Sequence, residues 1–349
     1  MALLVIAVAA VSIGAMLALQ YRAAEAPPAR QSDRQVTAVA VPHPAMPPPA
    51  TPPVASPPVL AVPSVPRALP FEEAVEPGAL APLPPAQRIP ALAPPAVERR
   101  PEAGEQPAWL RNAVASALAP DDPRPKIAIV IDDLGVDRER GARAIALPGP
   151  LTLAWLPYAH DLPMQTGAAR RAGHELLVHM PMDPRNRAIT DPGPNALLVD
   201  MPVDELQRRL DWNLSRFEGY VGINNHMGSR FTADPAALAP VMETLKQRGL
   251  LFLDSRTSAN SAALTVARGE GVPAVARDVF LDHEKSADAV HEALAEVESL
   301  ARRHGHAVAI GHPRDATLDT LAEWLPGLEQ RGFLLVPLSA LVRERHPSG

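Results

Sequence analysis

The sequence predicts an α/β fold: a distorted (β/α) barrel of seven or eight strands. Three observations lead there. From about residue 124 onward, apolar runs of strand length alternate with segments of helical period, seven or eight times over. The first run, residues 127–131, holds four β-branched residues among five and is apolar on both faces, as a buried parallel strand is. It ends on Asp132 and Asp133. Polar and titratable residues then follow nearly every other strand, while the residues before the strands, such as Pro150, Gly219, Gly249 and Gly332, carry little chemistry. An open doubly wound sheet would gather such groups only at its switch point, whereas a barrel turns all of them toward one face.

The chain has 349 residues, 33 basic and 39 acidic, for a net charge of −6, which gives no support for a nucleic-acid partner. The absence of cysteine excludes disulfides and Cys-ligated zinc. Residues 2–19 are uncharged and almost wholly apolar, enough at 1.5 Å per residue to cross a hydrocarbon core of about 30 Å. Residues 1–22 are therefore expected to be a transmembrane anchor, with a cleaved signal as the alternative. Residues 23–107 hold more than half of the 42 prolines and read as a Pro/Ala-rich disordered linker of polyproline type. Residues 108–123 are expected to form a lead-in helix, and 124–345 the globular domain.

Within that domain the strands are expected at 127–131, 151–156, 175–179, 220–224, 250–253, 275–281, 306–310 and 332–336. Helices are expected at 137–146, 161–172, 202–216, 234–248, 286–304 and 317–330. Asp234-Pro235 has the form of an N-cap followed by proline at the first helical position, and Gly249 and Gly332 have the form of helix stops. The strand ends then present Asp132 and Asp133, Pro157-Tyr158, His179 to Asp183, Asn224 to Arg230, Asp254 to Thr257, Asp278, Asp282 and His283, and Gly311 to Pro313. Asp, His and His from different strands are a standard set for a catalytic divalent metal with positions left for water. Such a metal brings the pKa of bound water toward about 7, and a carboxylate beside it can serve as base with a histidine as acid. That chemistry is metal-assisted hydrolysis.

Five strings in the sequence resemble a family. They are Ile131-Asp132-Asp133-Leu134-Gly135, His179-Met-Pro-Met182, Asn224-Asn225-His226-Met-Gly-Ser229, Asp254-Ser255 and Ile310-Gly311-His312. Together they resemble the divergent polysaccharide deacetylases, a branch of the NodB-type carbohydrate esterase superfamily, over roughly 124–345. The resemblance implies a distorted barrel, a divalent metal, commonly zinc, and hydrolysis of acetyl groups on sugars. By position it implies Asp132 as catalytic base, Asp133 and His179 as metal ligands and His312 as acid. In the parent superfamily the two ligand histidines lie four residues apart, and here that second position is Asp183. His226 is chosen to supply the second imidazole, with Asp183 as runner-up. Asn225, Arg230 and Asp254 are candidates for supporting the ligands or meeting substrate.

The expectation is a single-pass protein of a bacterial inner membrane, held through residues 2–19, with its domain on the periplasmic side and an envelope polysaccharide or peptidoglycan-type glycan as substrate. Arg22, on the C-terminal flank of the apolar stretch, argues mildly against that orientation. Two other readings compete: a catalytically idle barrel that binds glycan or an envelope partner, and a metal hydrolase with a different envelope substrate.

Overall fold

The computed structural model describes residues 105–115 and 122–345. The expected anchor at 2–19, nearly all of the linker at 23–107 and part of the lead-in helix lie outside the described residues. Among those described, no helix is long and apolar enough to cross a membrane. Their order is α1 (Ala108–Arg111), β1 (Lys126–Leu134), α2 (Arg138–Ala146), β2 (Thr152–Trp155), α3 (Leu162–Arg171), β3 (Glu175–Met182), α4 (Val203–Leu214), β4 (Gly222–Met227), α5 (Pro235–Arg248), β5 (Leu251–Asp254), α6 (Ala263–Glu270), β6 (Ala274–Ala276), β7 (Val279–Phe280), α7 (Ala287–His304), β8 (His306–Gly311), α8 (Asp315–Trp324), β9 (Leu334–Leu335) and α9 (Leu338–Arg345).

The strands form one curled, parallel sheet in the order β6-β5-β4-β3-β2-β1-β8-β7, with β9 paired to the start of β1. The two edge strands are consecutive in the chain, separated only by Arg277 and Asp278. They act as one bent stave whose first half is laddered to β5 and whose second half is laddered to β8. The sheet thus comes round on itself through the chain and not through a β6–β7 ladder.

Alternation along the strands sorts the apolar residues into two layers. Ala128, Val130, Ala154, Leu177, Leu251, Leu253, Val275, Val308 and Ile310 form an inner cluster. Trp109 of α1 and Leu338, Leu341 and Val342 of α9 belong to that cluster and plug the N-terminal end of the sheet. Ile127, Ile129, Ile131, Leu153, Val178, Ile223 and Phe252 pack the other way, against the apolar faces of the helices, including Leu210, Leu238, Val241, Leu294 and Val297. Each such side chain contributes about 1.5–3 kcal/mol by leaving water. The inner layer is narrow at one point: a β-carbon on Gly222 would collide with the Leu251 carbonyl, so this position admits only glycine.

Several elements differ from expectation. The single strand expected at 275–281 is two. The helix expected at 317–330 stops at Trp324 because Pro326 follows within a 3-10 turn, Leu325–Gly327. The strand expected at 332–336 shrinks to β9, and helices α6 and α9 are additions. β3 and β4 run on to Met182 and Met227, beyond their expected ends at 179 and 224.

Candidate metal centre and active site

The inner apolar rows end in polar residues of the same facing. Ala128 and Val130 lead to Asp132, Leu177 to His179, Leu251 and Leu253 to Ser255, and Val308 and Ile310 to His312. On β4, where Ile223 packs outward, Asn224 and His226 take the inner positions. The site is therefore the last layer of the barrel interior. Asp133 breaks this rule, since strict alternation would turn it outward. The β1–β2 register slips between Ile131 and Leu134, and Asp133 has φ 56°, in the left-handed region. This bulge re-aims its carboxylate, so two adjacent residues serve one site. Asp and Asn are among the non-glycine residues that tolerate that conformation best.

Asp133, His179 and His226 each offer one ligand atom, all within 4.8 Å of one another. The Oδ1 atom of Asp133 lies 2.9 Å from His226 Nδ1 and 3.2 Å from His179 Nε2, and the two ring nitrogens are 3.2 Å apart. Despite these distances, Asp133 Oδ1 is buried and makes no hydrogen bond of acceptable geometry. The carboxylate oxygen and the two ring nitrogens thus converge on one point, with the ring nitrogens within hydrogen-bond distance of each other. One carboxylate oxygen and two imidazole nitrogens, with room on the 30 % exposed side chain of Asp133, suit a divalent cation. Burial would push the Asp133 carboxyl up, but His226, His179 and His312 outweigh it and hold it well below the usual range. Burial likewise pushes His179 down, and Asp132 and Asp133 more than reverse that.

Asn224 organises the Asp132 side. Its Nδ2 donates to both Asp132 oxygens, at 2.8 and 2.9 Å, and to Ser255 Oγ at 3.1 Å. An ionised carboxylate only accepts, so the amide oxygen must face His179 Nδ1, 3.0 Å away. His179 then carries its proton on Nδ1 and turns the Nε2 lone pair toward Asp133. The β3–β4 register, His179 opposite Asn224, makes this pairing automatic.

His312 closes the other side. Its Nε2 lies 3.9 Å from Asp133 Oδ2, while its Nδ1 faces Asp282 Oδ1 at 2.9 Å. Asp282 also accepts from the His312 amide at 2.7 Å and from Thr317 Oγ1 at 2.8 Å. Burial raises the Asp282 carboxyl, but His312 and Arg314 together bring it below its ordinary value. An ionised Asp282 fixes a proton on His312 Nδ1 and supports a charged ring.

The remaining candidates sit away from this centre. Asp183 is fully buried but faces Arg187 Nε at 3.0 Å and Arg230 Nη1 at 3.1 Å, with the Val199 amide at 3.2 Å. Asp183, Arg230, Asp200 and Arg187 tie the 183–202 loop to the turn after β4. Asn225 faces outward, where its amide joins the β4 end to Thr257 and to the Ser255 amide. Asp254 accepts from the Arg256 amide and Ser261 Oγ, shaping the loop after β5. Asn224, Ser255 and Asp282 stand at the expected strand ends, and the structure supplies their partners: His179 and Asp132 for Asn224, the Asn224 amide for Ser255 and His312 for Asp282. Their signal is register: Phe280 opposite Ile310 carries Asp282 to His312 two residues on.

Comparison with known proteins bears on this geometry. Residues 129–342 match the model of the family described as divergent polysaccharide deacetylase. The uncharacterised YibQ protein of Escherichia coli K12 is 35% identical over 240 residues, covering 68% of this chain and 74% of that one. An uncharacterised Haemophilus influenzae protein is 35% identical over 205 residues, covering 59% and 72%. The crystal structure of the uncharacterised protein ATU2773 from Agrobacterium tumefaciens C58 superposes with a TM-score of 0.67 at 31% identity, covering 70% of this chain and 98% of that chain.

Proposed function

The chain belongs to the divergent polysaccharide deacetylase family, and from that premise we propose that it is a metal-dependent hydrolase that removes acetyl groups from an envelope glycan. The observation that carries the proposal is the convergence of Asp133 Oδ1, His179 Nε2 and His226 Nδ1, with Asp132 on one side and His312 on the other. The histidine that the parent superfamily has at the position of Asp183 is replaced, in this reading, by His226 from the neighbouring stave. A divalent cation such as zinc held by those three residues would acidify a water molecule and polarise the acetyl carbonyl. Asp132, steadied by Asn224, takes a proton from the attacking water. The water oxygen bonds to the acetyl carbon, and the bond from that carbon to the sugar nitrogen or oxygen breaks. His312, oriented by Asp282, gives its proton to the departing amine or alcohol, and acetate leaves.

Replacing Asp132 by Asn tests this. It keeps one acceptor oxygen for the Asn224 amide but removes the base, so deacetylation of acetylated chito-oligosaccharide should fall by about 10²–10⁴-fold, while the zinc content of the purified protein stays near one per chain. Full activity in that variant would exclude base catalysis by Asp132. The same proposal keeps the domain on the periplasmic side, tethered through residues 2–19; a reporter enzyme fused after Gly349 that is active only in the cytoplasm would overturn it.

A further inference from the structure

We infer that Ser255 contacts the substrate directly: its hydroxyl donates a hydrogen bond to the oxygen of the acyl group and stabilises the negative charge that gathers there as water adds. The inference rests on the deacetylase reading and gives that reaction a further residue.

Three staves end in the same way. An inward polar side chain is the last of its row, and the next residue turns into the left-handed region. On β1 the two are Asp132 and Asp133 (φ 56°), on β4 His226 and Met227 (φ 51°), and directly after β5 Ser255 and Arg256 (φ 51°). A side chain as large as Met or Arg is uncommon in that conformation and marks a position that its surroundings dictate. Asp132 and His226 have parts in the proposed reaction. Ser255, the third member of the set, has none.

The Ser255 backbone is fixed on both sides. Its amide donates to Asn225 Oδ1 at 2.9 Å, and its carbonyl accepts from Arg277 Nε at 2.8 Å. One heavy-atom torsion is left to the side chain, and it turns Oγ inward, 3.1 Å from Asn224 Nδ2. The residue is only 6% exposed. An amide nitrogen donates and does not accept, so Ser255 Oγ is the acceptor in this bond and its own hydrogen is directed elsewhere. Among the described residues Oγ donates to none. Neighbouring hydroxyls do donate within the protein, Thr257 to the Met227 carbonyl, Ser261 to Asp254 and Thr317 to Asp282, each at 2.8 Å. A buried donor without an acceptor is costly, and a ligand oxygen relieves it.

Chemistry selects the acyl oxygen as that partner. The attacking water must keep a lone pair for the carbon, and a further donor to it would weaken it as a nucleophile. The depth of the hydroxyl, in the last inner layer with Asp132, matches the reacting group and not the sugar ring that bears it. The acyl oxygen gains charge as the water oxygen bonds to carbon, and a donor already in place stabilises such charge. The Asn224 amide, by donating into Oγ, polarises the O–H bond and strengthens it as a donor. The same amide also donates to Asp132, so one side chain sets the spacing between the base and this donor. Ser255 keeps its proton throughout and forms no bond to carbon, since the side chain facing its Oγ is itself a donor.

The test uses the full zinc-loaded chain with Ser255→Ala and Ser255→Thr. On acetylated chito-oligosaccharide, Ser255→Ala should lower kcat by about 10²-fold, with KM within about twofold and the acidic limb of the pH–rate profile unmoved. Ser255→Thr, which keeps a hydroxyl, should recover most of that loss. A hydroxyl that merely satisfied Asn224 would disturb Asp132 when removed, and the acidic limb would shift. That shift, or a kcat within about threefold of the wild type in Ser255→Ala, overturns the inference. A second arm needs no turnover: sodium acetate, whose oxygens carry charge as the acyl oxygen comes to do, is titrated calorimetrically into both proteins. It should bind the wild type about tenfold more tightly than Ser255→Ala, and equal affinity overturns the contact. If the wild type cleaves no acetyl group while acetate still separates the two proteins, the deacetylase reading fails and the Ser255 contact stands.

Discussion

At the N-terminal end of the sheet Glu175 is fully buried, and every neighbour is a donor. Thr152 Oγ1 and the Ser339 amide reach its Oε1 at 3.2 and 3.0 Å, and the Ser339 hydroxyl reaches Oε2. Thr152 Oγ1 in turn accepts from the Leu338 amide, so the pair caps the start of α9. At the C-terminal end Asp133 Oδ1 converges with His179 Nε2 and His226 Nδ1 on one point. The buried Glu175 carboxylate is surrounded by donors aimed at it, and the partly exposed Asp133 shares its point of aim with two ring nitrogens. The first arrangement is complete as it stands and fastens a helix over the barrel interior. The second, in the function proposed above, is completed by a cation.

The two ends should separate most at Asp133. Asn suits the left-handed backbone there but binds cations poorly, so Asp133→Asn should lower zinc affinity and hydrolysis by at least about 100-fold, with the metal-stripped protein melting within about 3 °C of wild type. Unchanged zinc binding in a competition titration would remove Asp133 from the ligand set. At the other end, Glu175→Ala leaves the Ser339 and Thr152 donors buried without their acceptor. It should cost about 2–4 kcal/mol in denaturant unfolding, with zinc affinity retained by the folded fraction. Loss of metal without loss of stability would mean that the two ends are not separate in function.

The smallest effect is one of pH. Burial raises the Glu175 carboxyl above its ordinary 4.5. A raised acid contributes its stability below the unfolded value, and that contribution drains away as pH climbs through the folded one. Glu175→Gln, which imitates the protonated acid, should therefore gain on the wild type in melting temperature as pH rises from about 4.5 toward neutrality. A gap that stays constant or moves the other way would show that the donors around Glu175, not burial, control its protonation.

What the sequence made legible follows the strength of each local signal. The run at 127–131 has composition, length and an abrupt polar end, and β1 with its two aspartates lies where that reading puts it. The strand expected to end at 224 runs on to Met227, and the difference has a consequence. With β4 reaching Met227, alternation turns Asn224 and His226 inward and Asn225 outward, so the asparagine that meets His179 is Asn224. A boundary error of a few residues thus changes which neighbour faces the site, because side chains alternate with period two. The pairing of His312 with Asp282 depends on the β7–β8 register, a relation between residues 30 positions apart that no local pattern encodes. The helix α6 hides in a short segment, Ala263–Glu270, that follows a run of Ser, Thr and Asn. The expectation for the N-terminal stretch lies outside the described residues.

The stave formed by β6 and β7 has a further consequence. Along the path from β5 to β8 every stave is stitched to both neighbours by backbone ladders, but this one changes partner midway: the Arg277 amide bonds to Asp254 of β5, and the Arg277 guanidinium reaches the carbonyls of Ser255 and Arg256 beyond it. The mouth of the sheet thus has a diagonal seam closed by a side chain. The rim is joined there by side-chain contacts to backbone carbonyls, where its other joints are ladders between backbones.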